Sequence, residues 1–203
     1  MRPHDDNFGD WQGLASSNDA PRYSAIAEML RQSNLGRQVL DIGSGEGLLR
    51  AWLPSDCVYL GIERSALAIQ NAQALNHFAS ASFVHVDAER FDSHVRQFDS
   101  IVFNEMLYYS ADPVGLVRKY SALLQPSGGM LCSIFQKAGG VSLRRRLRHF
   151  FDRRRPLSNI HCERMVRAYM AREDWRILDD REVGSPERSR RWHIWLARPQ
   201  RLK

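Results

Sequence analysis

The chain has only three cysteines in 203 residues, Cys57, Cys132 and Cys162. They are odd in number and far apart, which excludes a disulfide framework and fits no zinc spacing. Cys57 and Cys132 fall on apolar segments, where a small buried side chain is the expected reading. No Asp, Asn or His cluster has the spacing of a divalent-metal site, so no metal is expected. No apolar run approaches the roughly 20 residues of a membrane span. The start, Met1-Arg2-Pro3-His4-Asp5-Asp6, lacks a signal-peptide core, and a reducing cytoplasm is the expected compartment. There is no internal repeat. Hydrophobic content of 43% and charged content of 26% are ordinary for a globular domain, and the length suits one core rather than two.

What is present is order along the chain. Arg37 to Ile42 is a short apolar strand running into Gly43-Ser44-Gly45-Glu46-Gly47, with a helix expected from Glu46 to Leu53. Glycines at alternate positions let the backbone turn sharply and approach a ligand. Further apolar segments follow at Val58–Glu63, Ser82–Asp87, Phe98–Glu105 and Gly128–Phe135, the last entered through Gln125-Pro126-Ser127-Gly128. The first three end in an acid. Glu63 lies about 20 residues beyond the glycine turn, the spacing at which a carboxylate reaches ribose hydroxyls.

Helices alternate with these strands. Asn18 or Asp19 caps one that carries Pro21 in its first turn and Ile26, Met29 and Leu30 on its apolar face. Ser65 caps a second, packed by Leu67, Ile69, Ala72 and Leu75; Asp112-Pro113 opens a third, with Val114, Val117, Leu123 and Leu124 inward. The alternation predicts a mostly parallel sheet covered on both faces, with strands one and four adjacent at the switch point. After Phe135 come a basic amphipathic segment over 141–151 and a helix from Asn159 or His161 to Arg172. Two strands close the chain, Trp175–Leu178 and Arg191–Ala197, separated by a turn over Glu182–Arg188.

The motifs VLDIGSGEG, YLGIE, FVHVDAE, FDSIVFNEMLYY and LLQPSGGMLCSIF, in that order, resemble the class I S-adenosylmethionine-dependent methyltransferases over about residues 20 to 199. The resemblance implies an α/β fold: a Rossmann-like, doubly wound, seven-stranded, mostly parallel sheet with a C-terminal antiparallel hairpin. Residues 1–17 read as a flexible segment, 18–203 as a single domain, and 136–158 as a basic lid-like stretch within it. A nicotinamide cofactor is the competing reading of the first turn. Asp41, Asp87 and the lack of a second catalytic domain speak against it.

The cofactor implied is S-adenosylmethionine. By the same resemblance Gly43, Ser44 and Gly45 border its amino acid and ribose, and Asp41 orients that turn or meets the amino group. Glu63 takes the ribose hydroxyls, with Arg64 beside it. Asp87 and the Ala88 N–H take the adenine, and the Asn104 carbonyl takes the ammonium. Arg22 and Tyr23 cap the carboxylate. Glu63 as a surface acid and Asp87 as a helix cap are the bland alternatives.

Asn104-Glu105-Met106-Leu107-Tyr108-Tyr109 is not the Asn/Asp-Pro-Pro-Tyr motif of nucleic-acid amino methyltransferases. Its form resembles the bacterial nodulation N-methyltransferases that modify chitooligosaccharide amines. Glu105 is therefore the first candidate base, Tyr108 and Tyr109 candidates for an aromatic face or a hydroxyl, and His161 a second candidate base. His85 and His193 read as structural.

The net charge of +6 is concentrated late, above all at Arg144, Arg145, Arg146, Arg148, Arg153, Arg154 and Arg155. This run reads as a solvated helix face, as a lid over an acidic small substrate, or as a nucleic-acid or anionic-membrane surface. The lid is favoured, because few aromatics interleave with the arginines. The expected activity is methylation of a polar small molecule at N or O. The alternatives are an RNA or protein methyltransferase and a non-catalytic binding subunit that keeps the fold.

Overall fold

The computed structural model describes residues 19–93, 97–137, 158–185 and 190–200. The N-terminal segment and the arginine run at 144–155 lie outside the described residues, and so does any lid built from them. Seven strands form one sheet in the order β3-β2-β1-β4-β5-β7-β6. They are β1 (Gln38–Ile42), β2 (Val58–Glu63), β3 (Ala81–His85), β4 (Phe98–Asn104), β5 (Leu124–Lys137), β6 (Trp175–Ser185) and β7 (Arg190–Pro199). β1 pairs in parallel with β2 and β4, β2 with β3, and β4 with β5. β7 runs antiparallel between β5 and β6. The expected doubly wound sheet with its closing hairpin is what forms, and β1 and β4 meet at the reversal of strand order.

Among the described residues four α-helices cover the sheet: α1 (Ala20–Gln32), α2 (Ala66–Leu75), α3 (Pro113–Ser121) and α4 (Asn159–Arg172). The alternation of β7 shows how one strand serves two layers. Trp192, Ile194 and Leu196 join the core beneath α1, while Trp195 and Ala197 join the core beneath α3 and α4. Ser65 caps α2 and Asp112 caps α3, each accepting a backbone N–H three residues on. α1 starts after Asp19, whose side chain makes no cap bond. It is turned instead to Arg190, 3.5 Å away.

Several local expectations are corrected. No α-helix spans Glu46–Leu53. The glycine turn continues through Gly47, at φ 69°, and only a short 3-10 turn forms at Leu48–Trp52. Leu53 is extended before Pro54, as a residue preceding proline prefers. The buried Arg50 guanidinium donates to the carbonyls of Pro54 and Ser55 at 3.1 and 3.0 Å, fixing the exit. Leu67 and Leu75 are each 53% exposed, and Ala68, Ile69 and Ala72 pack α2 instead. In α3 the buried residues are Pro113, Leu116, Val117 and Tyr120. Gln125–Gly128 is drawn into β5, and β6 runs on to Ser185 through the segment read as a turn. Polar side chains hid that extension. β6 lies at the sheet edge, where pairing to β7 and ion pairs such as Arg181–Glu28, 3.0 Å, hold it without an apolar stripe.

Candidate functional site

A cavity of about 600 Å³ opens where β1, β2 and β4 end. This is the switch-point crevice in which open α/β sheets bind ligands. Its wall includes Arg22 and Tyr23 from α1, Gly43, Ser44 and Gly45 from the glycine turn, and Glu63 and Arg64 after β2. Asp87 and Ala88 after β3, and Asn104, Glu105, Tyr108 and Tyr109 after β4, complete it. Thirteen of the fifteen residues singled out in the sequence are thus brought together.

Two are not. Asp41 is buried beneath the turn rather than on the wall, and its Oδ2 accepts from the Tyr59 hydroxyl at 2.5 Å. Burial, with the nearby Glu63 charge, pushes its carboxyl up to about 7, against the pull of the Tyr59 bond and Arg22. Asp41 thus lies beneath the turn, with its Oδ1 buried and unpartnered. His161 is exposed on the first turn of α4, where its N–H donates to the Ser158 cap. The helix packs by Cys162, Val166, Tyr169 and Met170, so the phase of α4 turns His161 away from the cavity.

The glycine turn is held from both sides. Gly43 and Ser44 donate to the Ile62 carbonyl at 2.8 and 3.0 Å. A Cβ on Gly43, at φ 72°, would lie 2.8 Å from the Met106 side chain, so the position needs both the left-handed backbone and the missing side chain. The Glu63 carboxylate accepts from the Gly45 N–H at 3.2 Å and the Ser65 N–H at 2.9 Å. It is therefore fixed at the end of β2 and is not a loose surface acid. Asp87 caps no helix. Its Oδ1 accepts from the Glu89 N–H at 2.8 Å, which shapes the loop after β3.

Glu105 has φ 61°, rare for a residue with a side chain and a form of strain that clusters at functional sites. Its N–H donates to the Ser133 carbonyl at 3.1 Å, extending the β4–β5 ladder by one residue. The Tyr108 hydroxyl donates to its Oε2 at 3.1 Å and Ser133 Oγ to its Oε1 at 3.4 Å. Arg22 Nη1 stands 3.7 Å from Oε2. Burial raises the Glu105 carboxyl to about 7, although Arg22, Tyr108, Ser133 and Trp192 all favour its charge. Burial and the Glu105 charge push the Tyr108 phenol far above its ordinary value, so it stays a donor. Tyr109 is 54% exposed and tilts against Tyr108 with ring centres 4.6 Å apart.

Six polar atoms on this wall are buried without a hydrogen-bond partner: Asp19 Oδ2, Arg22 Nε, Ser44 Oγ, Glu46 Oε2, Asn104 Oδ1 and Trp192 Nε1. Such groups carry a free-energy cost unless a ligand or water satisfies them. Those of Ser44 and Glu46 lie in the glycine turn and that of Asn104 at the end of β4, which suits a ligand with its own charged ends. Six carboxylates line the cavity (Asp19, Glu46, Glu63, Asp87, Glu89 and Glu105) against the arginines Arg22, Arg64 and Arg190. That balance favours a cationic guest. Among the described residues no group of three His, Cys, Asp or Glu could hold a metal ion.

Sequence reasoning missed Asp19, Phe135, Arg190 and Trp192 on the wall. Phe135 and Trp192 are register partners across β5 and β7. The period-2 alternation of β7 was a usable signal for the face Trp192 takes. Nothing local told that this face reaches the cavity.

Comparison with known proteins agrees with this geometry. A family model described as a methyltransferase domain matches residues 18–198. The ubiquinone biosynthesis O-methyltransferase of Dinoroseobacter shibae is 31% identical over 105 residues, which is 50% of this chain and 42% of that protein. A tRNA U34 carboxymethyltransferase of Aliarcobacter butzleri is 28% identical over 105 residues, 50% of this chain and 34% of that one. In both cases the match spans less than half of the relative's length. Among solved structures, the N-methyltransferase NodS of Bradyrhizobium japonicum in complex with S-adenosylhomocysteine superposes with a TM-score of 0.72 at 16% identity, covering 97% of this chain and 95% of that one. The magnesium protoporphyrin IX methyltransferase of Synechocystis, also with S-adenosylhomocysteine bound, gives 0.69 at 15% identity over 88% and 82%. The structural matches establish the fold, and the family match over most of the chain establishes the lineage: this protein belongs to the methyltransferase-domain family.

Proposed function

We propose that the protein is an S-adenosylmethionine-dependent methyltransferase acting on an amine of a polar small molecule. The observation that carries this reading is Glu105, a largely buried carboxyl at the end of β4, poised near neutrality and facing a cavity with an acidic wall. An acceptor amine arrives as an ammonium, and a base titrating near pH 7 is matched to removing its proton.

The orphaned atoms and fixed carboxylates fit the cofactor. Glu63 would take its ribose hydroxyls, Asp87 and Ala88 its adenine, Ser44 and Asn104 its amino acid end, and Arg22 its carboxylate. When bound, it supplies a methyl group activated by a sulfonium, so positioning is the main task left to the protein. Glu105 holds the acceptor nitrogen and takes its proton. Tyr108 keeps Glu105 oriented, and the exposed ring of Tyr109 offers an aromatic face to a cation. Amine rather than hydroxyl transfer suits the carboxylate excess, and likeness to an N-methyltransferase in fold is in keeping with it.

We place the single domain at residues 18–203 and the protein in the cytoplasm, where three free, buried cysteines stay reduced. No helix among the described residues is long and apolar enough to cross a membrane. The test is a screen of amines and amino sugars with methyl-labelled cofactor. Label transfer to an amine, lost in Glu105→Gln, is the expected result. Transfer only to hydroxyl acceptors or to RNA would overturn the assignment.

A further inference from the structure

Arg22 is an unusual cation. The residue is 6% exposed, yet its Nε has no hydrogen-bond partner, and its ion pair with Glu105 spans 3.7 Å, longer than a hydrogen bond. The guanidinium is held by ring faces instead, 4.8 Å from the Tyr23 centroid and 5.3 Å from that of Trp192. Two aromatic faces hold it at the cavity wall. A buried guanidinium with an unpartnered Nε–H and one long ion pair is a receptor for an anion. Glu105 competes for it from one side.

We infer that Arg22 is shared between Glu105 and the cofactor's carboxylate, so that occupancy of one weakens its hold on the other. The inference rests on the proposed cofactor site and adds a coupling to it. A carboxylate seated on Arg22 draws the guanidinium's charge away from Glu105. Glu105 then binds a proton more readily, and it becomes a stronger base when the cofactor is in place. Arg22 is a positioning residue in this scheme and touches no reacting atom.

Other groups face the pair. Tyr108 and Tyr109 on the turn after β4, Ser133 on β5 and the Trp192 indole on β7 surround Glu105. The indole Nε1 makes no hydrogen bond, but its dipole still favours the carboxylate. On the other side, Asp41 on β1 feels Arg22 and, like Glu105, is raised to about 7, which makes it the rival source of any pH effect.

The test compares S-adenosylhomocysteine with its decarboxylated analogue, which keeps the ammonium and lacks the carboxylate. Calorimetry gives the affinity ratio of the two at about pH 6 and about pH 8, either side of the expected titration. The wild type should prefer the carboxylate by about tenfold or more, as for a charge-assisted hydrogen bond, and by more at the lower pH, where protonated Glu105 releases Arg22. In Glu105→Gln the preference should be high and flat with pH. In Arg22→Gln it should fall to near unity, and Arg22→Lys, which keeps a charge, should recover part of it. If either variant fails to fold, the wild-type and Glu105→Gln profiles still decide. A pH dependence that persists in Glu105→Gln but disappears in Asp41→Asn would assign the partner to Asp41 and overturn the inference. So would a flat wild-type ratio, or an undiminished one in Arg22→Gln. Failure of either ligand to bind the wild type would instead sink the cofactor site itself.

Discussion

Removing the Glu63 carboxylate tests the architecture and the binding reading at once. Its oxygens accept from the Gly45 N–H at 3.2 Å and the Ser65 N–H at 2.9 Å, so it ties the glycine turn to the start of α2. Hydrogen bonds to a charged group are worth about 1.5–3 kcal/mol each, and the partial exposure of Glu63 argues for the low end or below. Glu63→Ala should therefore destabilise the fold by about 1–2 kcal/mol. For a chain of this size that is a fall of about 2–8 °C in melting temperature. Cofactor binding should suffer separately. Losing the acceptor for the ribose hydroxyls removes about 1.5–3 kcal/mol, a drop of about 10- to 150-fold in affinity for S-adenosylhomocysteine. Glu63→Gln should rescue little. One amide oxygen can serve one N–H, but its NH₂ then meets the other N–H donor to donor. Thermal melts with and without ligand, beside calorimetry, separate the two effects. Unchanged affinity in a folded Glu63→Ala protein would refute the ribose role, and an unchanged melting temperature would refute the tie.

Three further outcomes are expected. Asp41 and Glu105 are both raised to about 7 by burial, so the folded state binds their protons more tightly than the unfolded chain does. Their contribution to stability is full below the unfolded values near 4 and is lost as pH rises through 7. Cofactor-free protein should thus be more stable near pH 5 than near pH 8 by about 2 kcal/mol per carboxyl, and urea melts at the two pH values, with Asp41→Asn and Glu105→Gln flattening the difference, check this. Glu105→Gln should lower turnover by about 100-fold and erase a rise in rate through about pH 7, while full turnover in that variant would remove the base from the scheme. Gly43→Ala should cost about 2–4 kcal/mol, from a left-handed backbone and a 2.8 Å approach to Met106, and equal melting curves for variant and wild type would contradict the tight fit seen at the turn.

Much of the fold was legible in the sequence, because periodicity and caps act locally. Apolar runs of strand length alternating with capped helices specify a parallel, two-sided sheet, and right-handed crossovers leave few ways to order it. The glycine turn, Glu63 and Asp87 were readable for the same reason. Each sits at a strand end, and strand ends on one edge of a parallel sheet share one crevice.

Tertiary structure decided the rest. Leu53-Pro54 and the buried Arg50 cut short the helix expected after the glycine turn, an outcome that depends on carbonyls several residues away. The phase of α4 against the sheet turned His161 outward, and a period of 3.6 alone does not say which stripe is buried when a helix is rich in charge. The resemblance put Arg22 over a carboxylate, but the sequence did not show what holds it there. Its place between Tyr23 and Trp192, opposite Glu105, joins residues 83 and 170 positions apart along the chain, and only the closed sheet, with β7 beside β5, brings them together. Sequence thus determined the elements and the edge of the sheet where the cavity opens. The charges that face each other across that edge were set by packing, because burial and long-range pairing, not local pattern, fix a carboxyl near neutrality.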